Sequence, residues 1–207
     1  PVMSRGLGDV YKRQVMLSLL SEAGIEGVHL DLGNVGVFRA LADSAGLSDE
    51  QQSELFDLLK LKCQTDTLAW VERELSDSRL TEAFSLVASM QGSASALTDK
   101  FARLAELVPV AAQQLSDMTQ AIEALMQRFP QVSITCDLTE LRGYDYHTGL
   151  VFAAYVPGYG DAVAQGGRYD ETGADFGRAR PATGFSADLK VLAALGQRQF
   201  EAQETVA

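Results

Sequence analysis

Two cysteines, two histidines and one tryptophan are all that 207 residues supply of those types, and 17 basic side chains face 28 acidic ones. Each shortage excludes something. Cys63 and Cys136 lie far apart, with no CxxC spacing and no neighbouring histidine pair, so neither a zinc site nor a redox pair is written here. Two reduced, mostly buried thiols are expected. A formal charge of -11 is the opposite of the basic footprint that phosphate-backbone binding requires, so nucleic acid is not an expected partner. No run approaches the roughly 18 to 20 apolar residues that span a bilayer, and the start lacks the apolar stretch of a signal peptide. No membrane partner, a cytoplasmic location and no metal or cofactor are the expectations.

What is present suits a normal core, with 46% hydrophobic residues in a chain long enough for one large domain or two small ones. The first fourteen residues, PVMSRGLGDVYKRQ, carry Arg5, Lys12 and Arg13 against Asp9 and have no apolar period. They read as a non-native leader, with a domain cut open just after them. From Val15 to Ala23 the pattern is helical, and GVHLDLG then alternates Val28, Leu30 and Leu32 against His29 and Asp31, a strand with one buried face. A helix follows through Phe38 and Leu41 and stops near Gly46.

Ser48 with Gln51 three residues on is a capping-box pattern ahead of Leu55, Leu58 and Leu59. It opens a helical region over 48–130. Leu97, Phe101, Leu104 and Val108 form one stripe, Leu115, Met118, Ile122, Leu125 and Phe129 another, and Pro109 separates them. Both are read as core. After Pro130 come β-branched or aromatic runs, VSITCDL and LVFAAYV, and nine of the 18 glycines fall between Gly143 and Gly184. Tight turns and close backbone approaches are expected there rather than helices. Three or four strands of a mainly antiparallel sheet, closed by a helix from about Phe185 to Leu195, complete an α+β reading. Residues 15–47 and 131–195 form the sheet-bearing parts, and 196–207 a tail.

Three constellations in the glycine-rich third combine glycine with polar-ligand chemistry: RGYDYHTG over 142–149, GGRYD over 166–170 and PATGF over 181–185. An arginine fork matches a carboxylate or phosphate. Tyrosine hydroxyls and an aspartate orient an amine or imidazole, and paired glycines let a ligand lie against main chain. Taken alone, these residues suit a pocket for an amino-acid-like or nucleotide-like ligand, or equally a set of structural hairpins. His147 is a candidate ligand contact or a hydrogen-bonded turn residue, and His29 reads as structural. Arg178 and Arg180 suit a phosphate, though solvated ion pairs are the simpler reading.

LRGYDYHTGLVFAAY, QGGRYDETG and RPATGFSADLK, in this order, resemble the catalytic domain of histidyl-tRNA synthetase, a class II aminoacyl-tRNA synthetase, from residue 15 to about 195. They are more similar still to its paralogue family, the regulatory subunits of ATP phosphoribosyltransferase, which do not charge tRNA. The resemblance implies the class II catalytic-domain sheet, mainly antiparallel, with a helical insertion.

Synthetases of this type carry arginine, glycine, a variable apolar residue, aspartate and two tyrosines. Arg142, Gly143, Asp145 and Tyr146 fit, Tyr144 takes the variable place, and His147 replaces the second tyrosine, which helps hold histidine in the synthetases. Gly166, Gly167, Arg168, Tyr169 and Asp170 match the second block. In the third, a later glycine and an ATP-gripping arginine are expected where Asp188 and Val191 stand. Val191 cannot pair with a triphosphate, and one lost charge-assisted contact removes roughly 1.5 to 3 kcal/mol.

The implication is a chain with no catalytic residue and a histidine-like pocket formed by Arg142, Asp145, Tyr146, His147, Gly166, Gly167, Arg168 and Tyr169. It further implies a non-catalytic regulatory subunit in the first step of histidine biosynthesis. Such a subunit pairs with the short-form catalytic subunit of ATP phosphoribosyltransferase, self-associates and takes histidine as effector. The alternatives are a synthetase fragment that activates histidine with ATP, and a scaffold that senses nothing. The family's earlier ATP-binding motif is expected upstream of Val15.

Overall fold

The computed structural model describes residues 5–141, 143–144, 146–170, 177 and 181–196, with side chains from residue 11 onward. Helix α1 (Arg5–Glu22) leads into strand β1 (His29–Asn34) and helix α2 (Val35–Ala45). Helices α3 (Asp49–Lys60), α4 (Gln64–Glu74) and α5 (Ser78–Ala88) follow, then the short strand β2 (Gln91–Ser93). Helices α6 (Thr98–Leu107) and α7 (Ala112–Arg128) precede β3 (Ser133–Asp137), β4 (Leu150–Tyr155), β5 (Ala164–Tyr169) and β6 (Ala182–Ala187), and residues 189–196 are helical.

Local chemistry sets several of these boundaries. Asn34 caps α2 by accepting from the Gly36 amide, and Gly46 ends it in the left-handed region at φ 63. The Ser48–Gln51 capping box is present in both directions at the start of α3. The two stripes around Pro109 are buried as core.

Three readings are corrected. The first helix starts at Arg5 rather than Val15 and runs unbroken past residue 14. Arg13 is fully buried with its guanidinium 5.6 Å from the Phe152 ring, so it continues the buried stripe of Met16, Leu17 and Leu20. Its charge hid the period. The region 48–130 is not all helix, because β2 interrupts it to pair with β3. The closing helix does not begin at Phe185, which lies in β6; Asp188 caps the helical turn instead, accepting from the Lys190 amide at 2.8 Å.

The sheet runs β2-β3-β1-β4-β5-β6, antiparallel except for β1 beside β3. Its register separates two faces. One carries Leu30, Leu32, Ile134, Cys136, Leu150, Phe152 and Ala154, all buried; α1 meets it through Arg13 over Phe152, and α2 touches β4. On the other face a single row crosses all six strands through Ser93, Thr135, Asp31, Ala153, Gln165 and Ser186. No helix among the described residues is long and apolar enough to cross a membrane.

Candidate functional site

The polar row opens into a cavity of about 360 Å³, and the neighbouring row of Val151, Gly167 and Gly184 completes its floor. Glycine is required at two of those places by close approach. A Cβ on Gly167 would lie 2.5 Å from the His147 ring, and one on Gly184 would lie 2.5 Å from the Tyr169 hydroxyl. Without those methyls the two aromatic side chains reach the sheet surface. They stack at 6.1 Å between centroids and 18° between planes, and Tyr146 meets His147 edge-on at 4.3 Å.

Main-chain and hydroxyl bonds fasten the loop that carries them. The His147 amide donates to the Gly143 carbonyl, the Thr148 amide to the Arg168 carbonyl at 2.8 Å, and the Asp170 amide to Thr148 Oγ1 at 3.0 Å. Tyr144 anchors the same loop from behind. Its ring meets Phe38 at 5.4 Å and Phe56 at 5.1 Å, with the Arg39 guanidinium 4.6 Å away and donating to the Tyr144 carbonyl. The buried Asp137 ends β3 just upstream. It accepts from Lys62 Nζ at 2.7 Å, from the Thr139 amide at 2.8 Å and from the Thr139 hydroxyl at 2.6 Å.

Of the residues singled out in the sequence, Tyr146, His147, Gly166, Gly167 and Tyr169 line the cavity together. Arg168 does not. Alternation along β5 turns it to the opposite face, where its Nε donates to Asp170 Oδ1 at 2.9 Å. Arg142 and Asp145 lie outside the described residues, as do Arg178 and Arg180. His29 is hydrogen-bonded to Thr135 at 2.9 Å. Asp31, Glu140, Gln165 and Ser186 also line the cavity and were not singled out. The alternation of GVHLDLG placed Asp31 on the polar face of a strand, a signal that becomes a site only once that face meets β5.

Electrostatics divide the cavity. Burial, first, pushes the Asp31 carboxyl above its ordinary value; the Thr135 hydroxyl opposes this, and the charges of Asp137 and Glu140 add to it. His147 is held below the ordinary imidazole value, by burial first and then by the Arg39 charge, so it is neutral near pH 7. Among the described residues, its buried Nδ1 has no partner. On the core face, burial pushes the Cys136 thiol up to about 12, which keeps it inert, while Cys63 donates to Asp66. Both thiols are free. No cluster of metal-ligating side chains forms among the described residues.

The cavity thus offers an acidic floor, a neutral imidazole and tyrosine walls at the scale of a small polar molecule. Comparison with known proteins gives this arrangement its context. The ATP phosphoribosyltransferase regulatory subunit of Pseudomonas fluorescens (strain Pf0-1) is 45% identical over 193 residues, 93% of this chain and 48% of that protein. The chain therefore spans about half the length of the curated relatives it matches. A crystal structure described as an ATP phosphoribosyltransferase regulatory subunit/histidyl-tRNA synthetase from Bacillus halodurans C has a TM-score of 0.77 at 24% identity, covering 98% of this chain and 56% of that one. An ATP phosphoribosyl transferase (HisG:HisZ) complex from Thermotoga maritima has a TM-score of 0.68 at 19% identity, covering 90% and 62%. These likenesses establish the class II synthetase-like α+β fold. The family model described as histidyl-tRNA synthetase matches residues 9–192, and the chain belongs to the histidyl-tRNA synthetase family.

Proposed function

We propose that the chain acts within a non-catalytic regulatory subunit of ATP phosphoribosyltransferase, the enzyme of the first step of histidine biosynthesis, and that its cavity binds histidine as effector. The observation that carries this reading is a pocket at the scale of an amino acid beside a missing nucleotide grip. Val191, where the synthetases place an ATP-binding arginine, is a hydrocarbon packed against the core, and Asp188 caps the helix that bears it. The regulatory-subunit relatives at 45–47% identity support the same choice over a histidine-activating enzyme.

On this reading the partners are the short-form catalytic subunit and further copies of the same chain, in the cytoplasm. Arg142 pairs with the histidine carboxylate, and Asp145, Tyr146, His147 and Tyr169 shape the pocket. Histidine shifts activity by binding one state of the assembly better than the other. The protein is tested by mixing it with a short-form catalytic subunit and following phosphoribosyl transfer to ATP with and without histidine. Stimulation that histidine then reverses is the expected result. Histidine-dependent exchange of pyrophosphate into ATP by the protein alone would instead identify a synthetase.

A further inference from the structure

The cavity floor holds a carboxylate that the three motifs do not account for. Asp31 Oδ1 accepts the Thr135 hydroxyl at 2.8 Å, and Thr135 Oγ1 lies 2.9 Å from His29 Nε2. Because the hydroxyl proton is committed to Asp31, the Thr135 oxygen is left to accept, which puts the His29 proton on Nε2. The chain of bonds orients one Asp31 oxygen, and among the described residues no donor is bonded to Oδ2. Among the described residues, no lysine or arginine lines this cavity. Lys62 is engaged by Asp137, Arg168 by Asp170, and Arg39 by the Tyr144 carbonyl.

A second observation is independent of the carboxylate. His147 is only 6% exposed, and among the described residues its Nδ1 has no partner although the residue lines the same cavity. Among the described residues, a carboxylate with no cation lining its cavity, the charge of Lys62 reaching it only from outside, and a buried ring nitrogen without a hydrogen bond thus face one space. Both are costly unless something fills it. A bare cation would answer the first alone; a small molecule carrying an ammonium and a second polar group answers both.

We propose that Asp31 anchors the primary ammonium of an α-amino acid and makes the pocket selective for amino acids over their deaminated counterparts. This rests on the reading that the cavity holds histidine and adds the residue that decides which molecules of that shape are held. Thr135 is a positioning residue, acting through Asp31.

The test is calorimetric titration of the 207-residue chain at neutral pH with three probes: histidine, histamine and 3-(imidazol-4-yl)propionate, which lacks the amine. Histidine binds, and the deaminated acid binds about 10- to 100-fold more weakly, the scale of one charged hydrogen bond. Asp31→Asn keeps an acceptor for Thr135, lowers the affinity for histidine and histamine by a similar factor and leaves that for the deaminated acid unchanged. Equal histidine affinity in Asp31→Asn and the original chain overturns the anchor and leaves a histidine pocket standing. Should Asp31→Asn fail to fold, equal binding of histidine and its deaminated analogue by the original chain overturns the anchor. Uptake of neither histidine nor histamine overturns the pocket reading together with the anchor.

Discussion

The imidazole of His147 rests directly on Gly167, with room for no Cβ between ring and strand: an added methyl would sit 2.5 Å from Cδ2 and 2.6 Å from Nε2. The glycine is therefore part of the pocket's shape. Gly167→Ala pushes the imidazole off the floor and into the cavity. The expected result is a loss of histidine affinity of about tenfold or more, alongside a destabilisation of about 1–3 kcal/mol typical of overpacking. Titration calorimetry and a thermal melt on the same preparation check both.

Tyr144 is a structural member of the motif rather than a ligand contact. It is pressed between Phe38 and Phe56 under Arg39. Tyr144→Ala is expected to cost about 2–4 kcal/mol, roughly 5–15 °C in Tm for a domain of this size. Tyr144→Phe keeps the ring and stays within about 1 kcal/mol, since the contact of its hydroxyl with Gln52 is long, at 3.5 Å. Denaturant unfolding of the two variants distinguishes ring from hydroxyl.

Lys62 combines two opposed effects. It sits at φ 54, where a side chain is strained, yet its ammonium is 2.7 Å from the buried Asp137, and that bond is the leading cause holding the Lys62 pKa above its ordinary value. Lys62→Ala loses the ion pair and keeps the strained backbone. Lys62→Gly loses the ion pair and relieves the strain, so it is expected to be more stable than Lys62→Ala by about 1 kcal/mol. Both fall below the original chain, by about 1–3 kcal/mol for the alanine, because Asp137 stays buried with one charge partner fewer. Urea midpoints for the three proteins give the ordering.

His147 sets a pH dependence with a definite sign. Its folded pKa lies below the ordinary value of 6.5 because burial and Arg39 disfavour the cation. The stabilisation from keeping it neutral is complete above that ordinary value and is lost as pH falls through the lower folded one. Melting temperatures of the original chain should decline as pH falls below about 6.5 more steeply than those of His147→Asn, with the difference isolating this group from the carboxylates. Parallel curves would contradict it.

Features written in consecutive residues were legible in the sequence. The Ser48–Gln51 box, the Gly46 stop and the β4 run LVFAAY depend on local chemistry, and each stands where the pattern put it. Features decided by tertiary packing were not. Arg13 looks like surface charge until Phe152 lies beneath it. β2 is three residues, Gln91–Ser93, with no apolar alternation to betray it. Arg168 and Tyr169 are neighbours in one motif, yet strand alternation sends only Tyr169 into the cavity. Asp31 joins the pocket because β1 and β5, more than a hundred residues apart in the chain, flank β4 in the same sheet.

The proposed function depends on a histidine pocket that works without a nucleotide grip. Histidine titrated into the protein by calorimetry, with and without saturating ATP and magnesium, tests this. The account predicts one saturable histidine site whose affinity ATP leaves unchanged. ATP binding that tightens histidine, with pyrophosphate exchange following, would contradict it.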